Sequence, residues 1–200
     1  MRKVLAIVAL VAAMFVASNV QAQTVLYGGY APESFVSGNT SSNYQGFFVG
    51  FAKNFGIAQG VGVTAGAQFR MNTASESTTF LGVTSTTKEA QYLIDVPILF
   101  NYGISVNRDF KVTPFAGPML SLALAGNTKH IVGNSTTTSD WYGDNSTMNR
   151  FNLYAVFGAN VQFSKLNIFG GYRLGLLDLN ESNNVILKTN GLFVGLGFKL

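Results

Sequence analysis

The chain contains no cysteine, only four prolines, one tryptophan and one histidine in 200 residues. The missing thiols exclude disulfides and thiolate metal sites, so any stability must come from packing and hydrogen bonding. Charge is scarce as well. Asp, Glu, Lys and Arg make up 11% of the residues against 48% hydrophobic ones, and the mean hydropathy is +0.26. The formal charge of +4 falls to +2 once Arg2 and Lys3 are set aside, because no other charged residue occurs in the first 22 positions. That balance gives no electrostatic footprint for nucleic acid. Beyond residue 22 no apolar run reaches 18 residues, which excludes a membrane-spanning helix from that part of the sequence.

What is present at the start is a charged pair, an apolar run over 4–17 and Ser18-Asn19-Val20-Gln21-Ala22. This is the n-region, h-region and small-x-small pattern of a secretory signal peptide, expected to be removed after Ala22. Residues 23–200 then form one domain of 178 residues, which is 200 less the 22 of the leader.

The rest alternates. Over 89–102 the residues Ala90, Tyr92, Ile94, Val96, Ile98, Phe100 and Tyr102 are apolar or aromatic, with Glu89, Gln91, Asp95 and Asn101 between them. This is the two-residue period of a strand, with one oily and one wet face. The pattern recurs over 24–36, 43–55, 61–71, 110–124, 150–163, 166–177 and 192–200, which makes eight strands. Parity in the first is blurred by Gly28, Gly29 and Pro32. Three short connections preserve a single oily face: Ser164-Lys165 between Phe163 and Leu166, Asn107-Arg108-Asp109 between Val106 and Phe110, and 56–60 between Phe55 and Val61. The remaining connections, 37–42, 72–88, 126–149 and 180–191, are longer and polar, and 72–88 carries nine Ser or Thr in seventeen residues. The fold class is therefore all-β, an eight-stranded antiparallel up-and-down transmembrane barrel with short turns in the periplasm and long loops outside the cell.

Inward glycines such as Gly50, Gly66, Gly117 and Gly158 alternate with inward Phe48, Phe115, Tyr154, Phe169 and Phe193, and an eight-stranded lumen is only wide enough to be filled by such side chains. A plugged lumen is expected. Among the inward charges, Asp95 on the fourth strand and Arg173 on the seventh fall at similar depth and are expected to form a structural pair, with Arg70, Glu89 and Arg150 nearer the loop end. A proton or ion pathway is the functional alternative for such groups. The segment 60–65 fits a dinucleotide fingerprint by letter but opens no helix. His130 shares its loop with Asp140 and several serines, the residue types of lipid-modifying barrel enzymes, yet nothing in the sequence holds them together. No catalytic, cofactor-binding or metal-ligating set is assigned, and no cofactor is expected.

Two stretches, Tyr92-Leu93-Ile94-Asp95-Val96-Pro97-Ile98-Leu99 and Thr113-Pro114-Phe115-Ala116-Gly117-Pro118, resemble the PorT-like outer-membrane β-barrel family of Bacteroidota. The segment 171–179 resembles that family's penultimate strand. The chain departs from the terminal aromatic of barrel-assembly signals, ending in Leu200 with Phe198 nearest. The resemblance implies a non-enzymatic barrel in the cell outer membrane, acting through surface loops or in envelope integrity. Its implied partners are outer-membrane lipid, the barrel-assembly machinery during insertion and other envelope or secretion proteins. A component of a protein-secretion system and a lipid-modifying enzyme are the alternatives.

Overall fold

Tight turns set the register of the sheet. Gly60 takes the left-handed conformation (φ 78°) between Ala58 and Val61, and Ser164 does so (φ 53°) between Phe163 and Leu166. Such positive-φ positions give two-residue hairpin turns the twist that strands require. Asn107 closes the third short connection, its Oδ1 accepting the backbone N–H groups of Asp109 and Phe110 at 3.0 and 2.8 Å.

The computed structural model describes residues 23–80, 82–107, 109–142, 148–180 and 186–200. The leader expected over 1–22 lies outside them. The strands are β1 (Gln23–Tyr30), β2 (Glu33–Ser37), β3 (Thr40–Ala58), β4 (Val61–Phe80), β5 (Val83–Tyr102), β6 (Ile104–Ser105), β7 (Phe110–Val132), β8 (Ser135–Asp140), β9 (Phe151–Phe163), β10 (Leu166–Gly175) and β11 (Leu187–Lys199). All pairings are antiparallel, each strand follows its chain neighbour, and β1 bonds both β3 and β11, which closes the ring. β1 and β2 form one stave, broken where Pro32 lacks an N–H and continued because β2 also lies between β3 and β11. With β3, β4, β5, β7, β9, β10 and β11 this makes eight staves.

The oily face points outward. Val49 is 56% exposed, Phe157 52%, Val194 53% and Leu196 58%, whereas inward Phe48 is 7% and Tyr154 2% exposed. Three outward aromatic pairs, Tyr30–Phe47, Phe69–Tyr92 and Phe157–Tyr172, have ring centroids 5.4, 6.2 and 5.7 Å apart.

Two departures from the sequence reading matter. The segments read as loops over 72–88 and 126–149 are largely strand: β4 and β5 pair as far as Phe80 and Val83, and β7 runs on to Val132 before folding back as β8. Ser and Thr are β-branched or small and tolerate exposed strands, so their abundance did not mark coil. The ladder also has gaps. β4–β5 pairing skips from Ala65–Ile98 to Gln68–Asp95, and β5–β7 pairing skips from Pro97–Met119 to Phe100–Ala116. Pro97 and Pro118 cannot donate there. A bulge at Leu124 then shifts the register between Tyr92 and Leu93, and it turns Thr128 to the lumen side.

If the outward run of β11 faces lipid, Val194→Arg should cost about 2–4 kcal/mol of folding free energy near the bilayer midplane. The lumen-side change Gln162→Arg should cost less. Urea unfolding in lipid vesicles measures both, and an equal or larger loss for Gln162→Arg would reverse the face assignment.

Candidate functional site

The lumen divides into three layers. In the middle, Arg70 on β4 is fully buried and bridges two carboxylates from opposite sides. Its Nε donates to Asp95 Oδ2 at 2.8 Å and one Nη to Asp95 Oδ1 at 3.2 Å, a two-point grip, while the other Nη donates to Glu33. Forked guanidinium–carboxylate pairs are among the strongest hydrogen bonds available to a protein. Each carboxylate is further occupied. Asp95 accepts Ser121 Oγ at 2.5 Å and Gln68 Nε2 at 2.9 Å; Glu33 accepts Asn72 Nδ2 at 2.5 Å and the Tyr154 hydroxyl at 2.7 Å. The bonds continue from Thr189 Oγ1 to the Tyr154 hydroxyl at 2.9 Å and from Asn152 Nδ2 to Thr189 at 3.0 Å.

Arg173 stands beside this cluster. Its Nη2 donates to the carbonyl of Ala31 at 2.8 Å, its Nε lies 3.9 Å from Glu33 Oε1, and it is 2% exposed. The two arginines and two carboxylates sum to zero charge, which is how a lumen can hold four ionised groups away from water. The expected Asp95–Arg173 pair is therefore corrected: Asp95 belongs to Arg70, and Arg173 faces Glu33 and a backbone carbonyl. Strand parity placed Asp95, Arg70 and Arg173 inward, but the pairing depends on which staves the closed ring sets opposite one another. Glu33 was missed because Pro32 breaks the alternation one residue before it.

Above the charges lies an aromatic cap. Phe35, Tyr44 and Leu179 pack together with Trp141, the Phe35 and Tyr44 rings being 4.7 Å apart and the Tyr44 and Trp141 rings 6.2 Å. Glu89, half-buried at this level, accepts the Tyr44 hydroxyl and Thr128 Oγ1, and Trp141 Nε1 donates to Thr128 at 2.7 Å. Asp178 accepts the backbone N–H groups of Leu187 and Asn180, both at 2.9 Å, and those bonds hold its carboxyl below the usual carboxylate range.

Arg70 and Arg150 both sit elsewhere than expected. Arg70 lies in the middle layer rather than near the loops. Arg150 is exposed rather than in the lumen; its guanidinium donates to the carbonyls of Leu124 and Tyr142, each at 2.8 Å, and lies 4.7 Å from the Tyr142 ring centroid. It clamps the bulge on β7. Gly126, Gln91 and the Tyr142 hydroxyl complete that corner, Gln91 Nε2 donating to Tyr142 at 2.6 Å.

Below the charges the lumen opens into a cavity of about 190 Å³ that runs to the turn end. The rings of Phe48, Phe169 and Phe193 line it with Leu99, Met119 and Val156. Single histidine His130 is exposed on β7, where its Nδ1 lies 3.1 Å from Thr87 Oγ1. Opposite it on β8 is Thr137, while Asp140 pairs with Asn127, three positions away. The arrangement does not bring His130 and Asp140 together.

A family model of the outer membrane protein β-barrel domain matches residues 13–181 of the chain. Among solved structures, neisserial surface protein A is similar at a TM-score of 0.53, with 16% identity over 88% of this chain and 97% of that one. The attachment invasion locus protein Ail of Yersinia pestis, in complex with the heparin analogue sucrose octasulfate, is similar at a TM-score of 0.48, with 16% identity over 90% of this chain and 100% of that one. The outer membrane enzyme PagL is similar at a TM-score of 0.44, with 8% identity over 86% of this chain and 99% of its own. No curated protein matches the chain.

A double-mutant cycle separates the two pairings. Asp95→Asn and Arg70→Met should each cost about 3–5 kcal/mol, because each strands a buried charge. Their coupling should exceed that between Asp95→Asn and Arg173→Met, read from unfolding midpoints in one detergent. A larger coupling for the second pair would restore the expected partnership.

Proposed function

We propose, for a chain that belongs to the outer membrane protein β-barrel domain family, that it is a non-enzymatic outer-membrane protein whose filled barrel anchors a projecting sheet that meets a partner outside the cell. The protein sits in outer-membrane lipid. On this reading the leader is removed after Ala22, the barrel-assembly machinery inserts the rest, short turns face the periplasm and the projecting sheet faces outward.

The observation that supports it is the projection itself. Beyond Thr73 the β4 strand has lost β3, and its pairing continues only with β5; β5 pairs with β7, and β7 with β8. Four strands thus leave the barrel as one antiparallel sheet. β8 is exposed along its whole length and so is β4 over 75–80, and among the described residues neither has a strand on its outer side there. Facing hydroxyls such as Ser77–Thr86 at 2.9 Å and Thr79–Thr84 at 3.0 Å tie the strands together. A sheet with open edges can accept an added strand through main-chain bonds, a common mode of peptide recognition. In the charge layer below it, Asp95 and Glu33 are both engaged by Arg70 and by the neighbouring Ser121, Gln68, Asn72 and Tyr154 side chains.

The motif resemblance to PorT-like barrels supports a second reading, an assembly partner in secretion. That partner would approach from the turn end. Photo-crosslinking groups at Thr137 and Ser77, against one at Lys165 in a turn, separate the readings in intact cells. Adducts at Thr137 or Ser77 are expected. Adducts confined to Lys165 would favour the secretion role, and altered lipid acyl chains in a strain lacking the gene would favour an enzyme.

A further inference from the structure

Charge is shared unevenly between the two ends of the barrel. Among the described residues the turn end carries Lys53, Lys111, Lys165 and Lys199 against the single carboxylate of Asp109, a side-chain charge of +3. The middle layer is neutral, with two arginines and two carboxylates. So is the described loop end, where Lys88, Lys129, Arg150 and Lys188 stand against Glu76, Glu89, Asp140 and Asp178. Even with the α-carboxylate of Leu200 counted, the turn end stays positive.

Backbone contacts place the four lysines along one stretch of the rim. Lys53 on β3 is opposite Thr24 on β1, the Thr24 carbonyl accepts the N–H of Leu200 at 3.0 Å, and the N–H of Lys199 donates to the carbonyl of Lys165 at 2.8 Å. In the turn that holds Lys165, the N–H of Ser164 donates to the carbonyl of Asp109 at 2.9 Å, two residues before Lys111 on β7. The staves run β3, β1, β11, β10, β9 and β7, so the arc covers about 24 Å of wall at the usual strand spacing.

Two of the lysines lie on the lipid side of that arc. Lys165 sits in the turn between exposed Phe163 and Leu166, and its Nζ stands 5.7 Å from the ring centroid of outward Phe198. Lys53 follows outward Phe51 by two positions on β3, which puts it on the same face. An ammonium laid along the end of an apolar belt stands where lipid headgroups begin. Lys111 and Lys199 line the mouth of the lumen instead. Among the described residues Lys111, Lys165 and Lys199 form no ion pair.

We infer that this arc is a docking site for an anionic phospholipid of the leaflet in which the turns lie. Lys53 and Lys165 meet the phosphate oxygens from the lipid side, Lys111 and Lys199 add positive potential from the lumen mouth, and the acyl chains lie along Phe198 and its outward neighbours. A lipid is the occupant because the Lys165 ammonium rests on a lipid-facing ring, where a soluble phosphate has no apolar body to bury. Zwitterionic lipid gains less, since its own cationic group is repelled by the same lysines. The site is at the opposite end from the projecting sheet and rests only on the barrel spanning lipid.

The test is native mass spectrometry of the folded barrel in nonionic detergent with equal amounts of dimyristoyl phosphatidylglycerol and dimyristoyl phosphatidylcholine. Bound phosphatidylglycerol should exceed phosphatidylcholine by about fivefold or more, as one lysine near an anionic headgroup entails, and the ratio should shrink as ammonium acetate is raised. The double variant Lys53→Gln/Lys165→Gln should bring the ratio close to one. The loop-end double variant Lys88→Gln/Lys129→Gln should leave it unchanged. Equal occupancy by the two lipids, a ratio indifferent to salt, an unchanged ratio in the turn-end variant, or glycerol 1-phosphate binding as tightly as the lipid would overturn the inference. A chain that does not fold as a barrel in detergent or vesicles would overturn the membrane reading along with it, so the two failures are told apart.

Discussion

Arg70 is the constraint on which the rest of the lumen depends. From β4 it reaches Glu33 on β2, Asp95 on β5 and Ser121 on β7, and through Glu33 the bonds run on to Tyr154 on β9, Thr189 on β11 and the neighbourhood of Arg173 on β10. Seven of the eight staves therefore meet in one polar cluster at the barrel's centre. Strand pairing around the wall fixes which neighbours bond, but a twisted sheet can curl without closing at one diameter. Cross-lumen bonds between staves far apart in sequence, such as Tyr154 to Glu33, favour the closed ring over open alternatives. The arrangement is intolerant of partial loss, since each bond satisfies a group that would otherwise be buried alone.

The layers above and below follow from that cluster. Glu89, Tyr44 and Trp141 build the cap where the staves leave the membrane, and Arg150 secures the bulge that lets Thr128 join it. The bulge has a wider effect, because it marks where β7 passes from the barrel wall into the projecting sheet. Below the cluster the polar layer gives way to rings and to the ladder gaps at Pro97 and Pro118. The lumen is thus sealed at the loop end and relaxed at the turn end.

Much of this was legible in the sequence. Alternation in residues 89–102 and 150–163 located strands and their faces, and the pair Phe163–Leu166 fixed a register that the structure reproduces. Arg70, Asp95, Arg173 and Tyr154 were all placed inward by parity alone. The pairing among them was not legible, because period 2 gives a side and a depth along one strand but no angle around the barrel. Glu33 hid behind the Pro32 break. Arg150 misled for the same reason of scale: parity points it inward, yet at the rim a long side chain can turn back to the carbonyls of Leu124 and Tyr142. The Ser and Thr tracts misled differently, since their polarity reports exposure and exposure was taken for coil, whereas the exposed segments are strands of the projecting sheet.

The lumen is blocked at mid-depth by Arg70, Glu33, Asp95 and Tyr154 and again by the aromatic cap. Single-channel recording of the folded protein in a planar bilayer tests it most directly. The bilayer should stay electrically quiet, without steady conductance steps, at moderate voltage and neutral pH. Stable, uniform steps like those of an open pore would show that ions pass the charge layer, and would contradict both the filled lumen and the bonded cluster that fills it.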